Sequence, residues 1–288
     1  MMHISFNFLL LALSALASVT ARAVSRDVGP RQGPNTVGAS HPSDQTAAMN
    51  LTAWLVPVSK AQAQKLAQGR TLLRPTGLPS GYVLGEDQHP LLLLTGYYTD
   101  ISQSNITAIP QLSEAHVYVP WIQAVASSQA PFVYHYQTFS DSLFASLLGN
   151  LFQSANAKLA FFDPPHAAYK PVGASDLSFN VEVGLLPGIL ATPAFTSTFR
   201  RSTSAILTTD FVDSVLQQPV IRSGSKDTCS KTMYLFNETS SNPFAVVGTL
   251  TTSSAFTIDP LSFEGAQGLT AAVQWILPPQ GQPCTSFA

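Results

Sequence analysis

The sequence predicts an α+β domain made mainly of antiparallel sheet, curled into a barrel or cone around an interior. Three observations carry this. First, residues 114–125, EAHVYVPWIQAV, read as one long strand. Ala115, Val117, Val119, Trp121 and, past a slip at Ile122, Val125 alternate with His116, Tyr118 and Gln123, and a period of two sends the two sets to opposite faces. The second face is mixed rather than wet, because Tyr118 is large and half apolar and Glu114 heads the strand. That pairing suits the wall of a closed or nearly closed sheet with a ligand-sized interior. Second, residues 91–98, LLLLTGYY, form a short continuous apolar run, as expected of a strand covered on both faces. Third, strand-like segments recur along the whole chain with only two or three helices between them and no internal repeat.

Taken in order, residues 51–58 are a short strand. Ser59 caps a helix over AQAQKLAQ, whose Ala61, Lys65 and Leu66 form a weak amphipathic face ended by Gly69. Residues 71–74 are a further short strand, and 75–81 a turn region with two prolines and two glycines. After the 91–98 strand, residues 100–111 read as a polar loop. Residues 131–139, PFVYHYQTF, are dense in aromatic and β-branched residues and give a third strong strand, adjacent to the other two in one antiparallel sheet. Ser140 caps the best helix. Leu143, Phe144, Leu147, Leu148, Leu151 and Phe152 recur at helical spacing, so this helix is expected to plug or cover the sheet. Residues 158–163 return to strand and stop at Pro164-Pro165. Residues 177–183 alternate cleanly, with Leu177, Phe179, Val181 and Val183 facing in. Residues 208–217 form a short helix, and 232–237, 244–252 and 269–277 are late strands.

The 288 residues suffice for one large domain, and the 45% hydrophobic content supports a sizeable core. Only 10% of residues are charged, against ~25% in a typical soluble domain, and the net charge is −2. No basic field exists to attract nucleic acid or an anionic membrane. Residues 6–19 are apolar, and Ala21-Arg22-Ala23 offers a small-x-small cleavage site, so residues 1–23 read as a secretory signal peptide. A signal anchor is the alternative, although the run is shorter than the ~20 residues of a span. Residues 24–48, rich in Pro, Gly, Ser, Gln and Asp, read as a disordered lead-in or propeptide with Arg22, Arg26 and Arg31 as trimming points. Order is expected from Met49, as one domain over 49–288. Secretion fits the three N-x-S/T sequons, at Asn50, Asn105 and Asn237, each of which predicts a surface position if used. It also fits one disulfide between Cys229 and Cys284, the only two cysteines; two unpaired buried thiols are the alternative.

The succession of segments resembles the acetoacetate decarboxylase-like superfamily, in particular its secreted fungal members. The points of likeness are the Ala61-Gln-Ala-Gln-Lys65-Leu66 helix ahead of a Pro-Gly turn, the Tyr97-Tyr98 strand and Glu114 opening a strand that reaches Val119-Pro120. The Trp275-Ile276-Leu277-Pro278 ending with Cys284 after it completes them. The likeness runs from about Leu51 to the C-terminus. It implies a β-barrel or cone with an internal pocket and decarboxylation of a keto acid through a Schiff base to lysine. Such chemistry needs a neutral amine, obtained by desolvation or a nearby cation. By position the amine is Lys158 and the pocket carboxylate Glu114. The family's Gly-x-Pro-Lys-Lys signature is absent, and Leu159 stands where its second lysine would be. Arg74 is the nearest candidate for a substrate-carboxylate arginine.

The function implied is a secreted Schiff-base lyase acting on a small keto acid or polyketide-like compound. The alternatives are a non-catalytic binder of a small apolar ligand and a structural or host-interacting secreted protein. The partner is a small molecule, with no cofactor, no nucleic acid and no membrane after signal removal. The discriminating feature is whether the Lys158 amine dips into a hollow beside Glu114. His116 and His135 fall on adjacent strands without a visible third ligand, which favours core or pocket histidines over a metal site. Tyr118, Tyr134 and Tyr136 are pocket or packing residues. Gly77-Leu-Pro-Ser80-Gly81 has the wrong spacing for a nucleophile elbow, and no phosphate loop or dinucleotide fingerprint occurs.

Overall fold

A computed structural model describes residues 33–103, 106–153, 155–184, 190–237 and 241–288, with the side chains of residues 106–108, 148 and 152 excepted. The expected leader, 1–23, lies outside the described residues, as does Asn105.

The strands are β1 (Gln45–Ser59), β2 (Gln88–Gln103), β3 (Ile106–Ile122), β4 (Phe132–Ser140), β5 (Ala157–Leu159), β6 (Phe161–Asp163), β7 (Lys170–Val172), β8 (Asp176–Gly184), β9 (Ala191–Arg201), β10 (Val220–Arg222), β11 (Thr228–Ser230), β12 (Met233–Leu235), β13 (Phe244–Thr252), β14 (Leu261–Leu277) and β15 (Gln282–Pro283). Four α-helices accompany them: α1 (Lys60–Leu66), α2 (Leu143–Gln153), α3 (Thr209–Leu216) and α4 (Ser254–Thr257). The sheet order is β15-β11-β10-β4-β3-β2-β1-β14-β13-β9-β8-β6, and this path does not close on itself. Most pairs are antiparallel; β10 and β5 join β4 in parallel.

The long central strands are apolar on both faces, and each face has its own core. Leu91 and Leu93 of β2, Val117 and Val119 of β3, and Trp54 and Val56 of β1 pack with the phenylalanines of β8 and β9. Leu92 and Leu94, with Met49, Leu51 and Ala53, face the other way. The run at 91–98 is therefore covered on both sides, as its pattern requires. The first core is filled, with Phe139 stacked and Phe195 tilted on Phe256 of α4. The second encloses a hollow.

Several local expectations change. β1 begins at Gln45 rather than Met49. The chain is already packed before it, since Asn35 donates to Thr46 Oγ1 (2.9 Å) and the Asp100 carbonyl (3.0 Å), and Gln274 bonds both Thr36 N–H and the Pro34 carbonyl. Where a polar loop is expected over 100–111, residues 100–103 and 106–111 belong to β2 and β3, which pair from Leu92–Tyr118 to Gln103–Ile106 with a register shift between Ile101 and Ser102. Polarity there marks a wetter strand end rather than a loop. β9 was not assigned from sequence, although Phe195, Ser197 and Phe199 alternate through it. Residues 71–74 make a single bridge, Leu72 to Ile122. α1 has its Ser59 cap and a reciprocal bond from Gln62, a capping box.

α2 departs most from expectation. Ser140 ends β4, and Ser142 bonds the first turn instead. Leu143, Phe144, Leu147 and Leu151 point outward and are 59%, 61%, 52% and 74% exposed. The small face, Ala145 and Gly149, turns toward the hollow. The helix covers the hollow, with Ala145, Gly149 and Gln153 on its lining.

The Cys229–Cys284 disulfide is formed and ties the last turn to β11, beside β10. Closing a loop of this separation contributes roughly 4 kcal/mol by chain entropy. Of the sequon asparagines, Asn50 is 9% exposed, in mid-β1 with strands on both sides. Asn237 is exposed. Among the described residues, no helix is long and apolar enough to cross a membrane.

Candidate active site

The hollow has a volume of about 110 Å³ and lies on the second face of β2, β3 and β4, under α2 and against β10, β12 and the end of β14. That is room for several water-sized groups, the scale of a small organic molecule. Ile101, Ile109, Leu112, Val220 and Leu277 supply apolar wall; Glu114, His116, Tyr98, Tyr118, Tyr234 and Arg222 supply polar groups.

β3 delivers three of these by its alternation. Glu114, His116 and Tyr118 point in, while Ala115, Val117 and Val119 enter the opposite core. The slip comes one residue earlier than the sequence indicates. Trp121 has φ 52° and turns to the hollow's side, stacking on Phe211 of α3, and Ile122 takes the opposite face. Its N–H donates to Gln218 Oε1 at 3.2 Å, which holds the kink.

A row of polar groups runs along the wall. His116 Nε2 lies 3.3 Å from Glu114 Oε2 and 3.3 Å from Tyr98 Oη. His116 Nδ1 lies 3.0 Å from Thr138 Oγ1, which lies 2.9 Å from His135 Nε2. Two proton arrangements satisfy all four contacts, with the Thr138 hydroxyl donating either to His116 Nδ1 or to His135 Nε2; in both, His116 Nε2–H is shared between Glu114 and Tyr98. Tyr118 stacks on His116 at 5.5 Å and tilts on His135 at 4.8 Å. Tyr118 bonds Tyr234, which also accepts from Trp275.

Burial sets the protonation of several members. It holds His135 well below the usual histidine range, helped by His116 and then Arg222, so its ring is neutral. It raises the Tyr98 and Tyr118 hydroxyls well above the ordinary phenol and Tyr234 to about 12. It also lowers Arg222, although Tyr118, Tyr234 and Glu114 oppose that. Arg222 lies opposite His135 in the β10–β4 pairing and makes no ion pair with a carboxylate among the described residues. It also lines a polar surface cleft with Lys226, Ser225 and Ser230, and Gln153 and Val220 border both spaces.

The sequence-predicted residues are therefore split. Glu114 lines the hollow. Lys158 does not: it pairs with Phe139, whereas its neighbour Ala157 pairs with Thr138 and faces the hollow. With side chains alternating across β5, the amine falls on the opposite face of the sheet, exposed, with Nζ 5.7 Å from the Phe139 ring centre. Burial lowers its pKa, but away from Glu114. No lysine is among the residues lining the hollow. Arg74 is exposed and also absent from the lining; the arginine that does line it is Arg222. Sequence reasoning missed Arg222 because it sits in a three-residue strand that periodicity cannot detect. His116 and His135 do meet, 5.6 Å between ring centres, through Thr138. Among the described residues, no group of three or more His, Cys, Asp or Glu comes together to hold a metal ion.

No family profile and no curated protein matches the sequence. Solved structures do match. The enduracididine biosynthesis enzyme MppR with HEPES buffer bound is 11% identical, covering 86% of this chain and 90% of that one with a TM-score of 0.57. The same enzyme complexed with pyruvate is 11% identical, covering 86% and 92%, with a TM-score of 0.56. A structure from studies of acetoacetate decarboxylase is 14% identical, covering 93% and 96%, with a TM-score of 0.54. The fold is acetoacetate decarboxylase-like. At these identities the likeness establishes the fold alone.

Proposed function

We propose that this chain is a secreted acetoacetate decarboxylase-like protein that binds a small organic acid in its hollow without forming an imine. The observation that carries this is Arg222. It is the one cation among the residues lining the hollow, it makes no ion pair with a carboxylate among the described residues, and apolar side chains line the same hollow. A guanidinium so placed suits a ligand carboxylate, and the apolar residues suit a short hydrocarbon body. A neighbour of the same fold complexed with pyruvate supports the ligand class by analogy. The filled-barrel reading loses its basis, because the hollow is present. The Schiff-base reading through Lys158 loses its geometry, because that amine lies across the sheet from Glu114. The leader at 1–23, the disulfide and the exposed Asn237 support secretion and glycosylation.

The test combines binding with trapping. The full chain is titrated with pyruvate and with the keto acid of leucine by calorimetry. It is then treated with borohydride in the presence of each and analysed by mass spectrometry. Binding without a reduced adduct is expected. An adduct on Lys158 would overturn the non-imine assignment, and absence of binding by any small carboxylate would overturn the ligand class.

A further inference from the structure

We propose that the Glu114–His116 pair removes the proton α to the carbonyl of a bound keto acid directly, making the protein a catalyst of keto–enol proton exchange. The inference rests on the binding reading above and adds chemistry to it. Enolisation needs a base beside the Cα–H bond, a donor for the developing oxyanion, and something to hold the acid in place. The hollow presents all three on its lining. Glu114 Oε2 is the base. His116 Nε2–H, 3.3 Å away, orients that carboxylate and stabilises its charge. Arg222 takes the ligand carboxylate, and the hydroxyl of Tyr98, which accepts from His116 and keeps its own hydrogen free, is the donor that reaches the same space. That hydroxyl stays protonated in neutral solution because burial raises it.

The row behind His116 has no role in binding a carboxylate. Thr138 Oγ1 bridges His116 Nδ1 and His135 Nε2 at 3.0 and 2.9 Å. Held at Nδ1 by Thr138, the His116 ring keeps Nε2–H directed at Glu114. His135 and Thr138 are thus positioning residues, one step removed from the reacting atoms.

The step balances without a co-reactant. The C–H electron pair becomes the C=C bond of the enolate, and the carbonyl π pair moves to oxygen, where a tyrosine hydroxyl meets it. Glu114 keeps the proton, exchanges it with solvent through its partly open side chain, 18% exposed, and returns a solvent proton to carbon. No carbon–carbon bond need break and no imine is formed.

The experiment follows loss of the methyl proton signal of pyruvate, and of the methylene signal of the keto acid of leucine, by NMR in D₂O with the full chain. Binding is measured on the same samples. Wild type is expected to exchange faster than buffer, and Glu114→Gln to slow the enzymatic part by ~10²-fold or more while leaving binding in place. His135→Gln is expected to slow exchange without weakening binding, and Lys158→Ala to change neither. Binding with exchange no faster than buffer would overturn the catalytic proposal and leave the binding reading standing. Absence of binding would overturn both. Exchange that disappears in Lys158→Ala would overturn the direct route in favour of an imine.

Discussion

Replacing Arg222 with methionine separates the ligand's anchor from the fold. Methionine keeps an unbranched stem of similar reach and removes only the guanidinium. That group faces Glu114, Tyr118 and Tyr234 with no carboxylate paired to it among the described residues. A ligand carboxylate would make a charge-assisted hydrogen bond there, worth about 1.5–3 kcal/mol. At about 1.4 kcal/mol per tenfold, Arg222→Met should weaken the Kd of a small keto acid by about 10- to 140-fold. The empty protein should respond in the opposite sense. Burial lowers the Arg222 pKa, so the charge is costly to keep, and an apolar replacement should leave stability unchanged or raised. The assay is calorimetric titration of both proteins, with urea unfolding of each alongside. Arg222→Lys, a point charge without the planar fork, should recover only part of the affinity. An unchanged Kd, or a loss of affinity matched by a comparable loss of stability, would refute the reasoning.

Other consequences follow from the packing and the buried titrations. Gly268→Ala should destabilise by about 1–3 kcal/mol in urea unfolding. Its Cβ would lie 2.6 Å from Trp54 Cε3 and 3.0 Å from the Ala53 carbonyl, and Trp54 is wholly buried against Phe199. Tyr134 and Tyr234 are pushed up to about 12 by burial, so their contribution to stability is complete below the ordinary phenol range, near 10, and is lost as pH rises through about 12. Tyrosinate absorbance should therefore appear together with loss of near-ultraviolet circular dichroism, not ahead of it. His135 is depressed by burial, so its contribution is complete above the ordinary histidine value and erodes as pH falls below it. Denaturant titrations between about pH 6.5 and 5 should show a shallower loss of stability in His135→Gln than in wild type.

Much of the fold was legible where long strands carry a period. β3 shows its two faces in Glu114, His116 and Tyr118 against Ala115, Val117 and Val119, and β2 shows burial on both sides in four consecutive leucines. Glu114 and both histidines were accordingly recognisable as pocket-facing candidates. What was hidden depends on register and on neighbours distant in sequence. Lys158 lies one residue from a position that faces the hollow, and in a three-residue strand nothing local decides between them; the pairing of Ala157 with Thr138 does. Arg222 gains its setting only because β10 docks in parallel beside His135. Periodicity marks an apolar stripe on α2, but it does not tell that Leu143, Leu147 and Leu151 face outward while Ala145 and Gly149 line the hollow. Trp121 changed sides through a positive φ that a pattern of alternating residues cannot express.

The central claim is a hollow behind Glu114 that holds a small carboxylate on Arg222 and contains no amine. A crystal structure of the protein soaked with pyruvate tests it most directly. The account predicts density inside the hollow, with the carboxylate on the Arg222 guanidinium and the keto carbon bonded to no protein atom. Density continuous with a lysine side chain, or pyruvate bound elsewhere over an empty hollow, would contradict it.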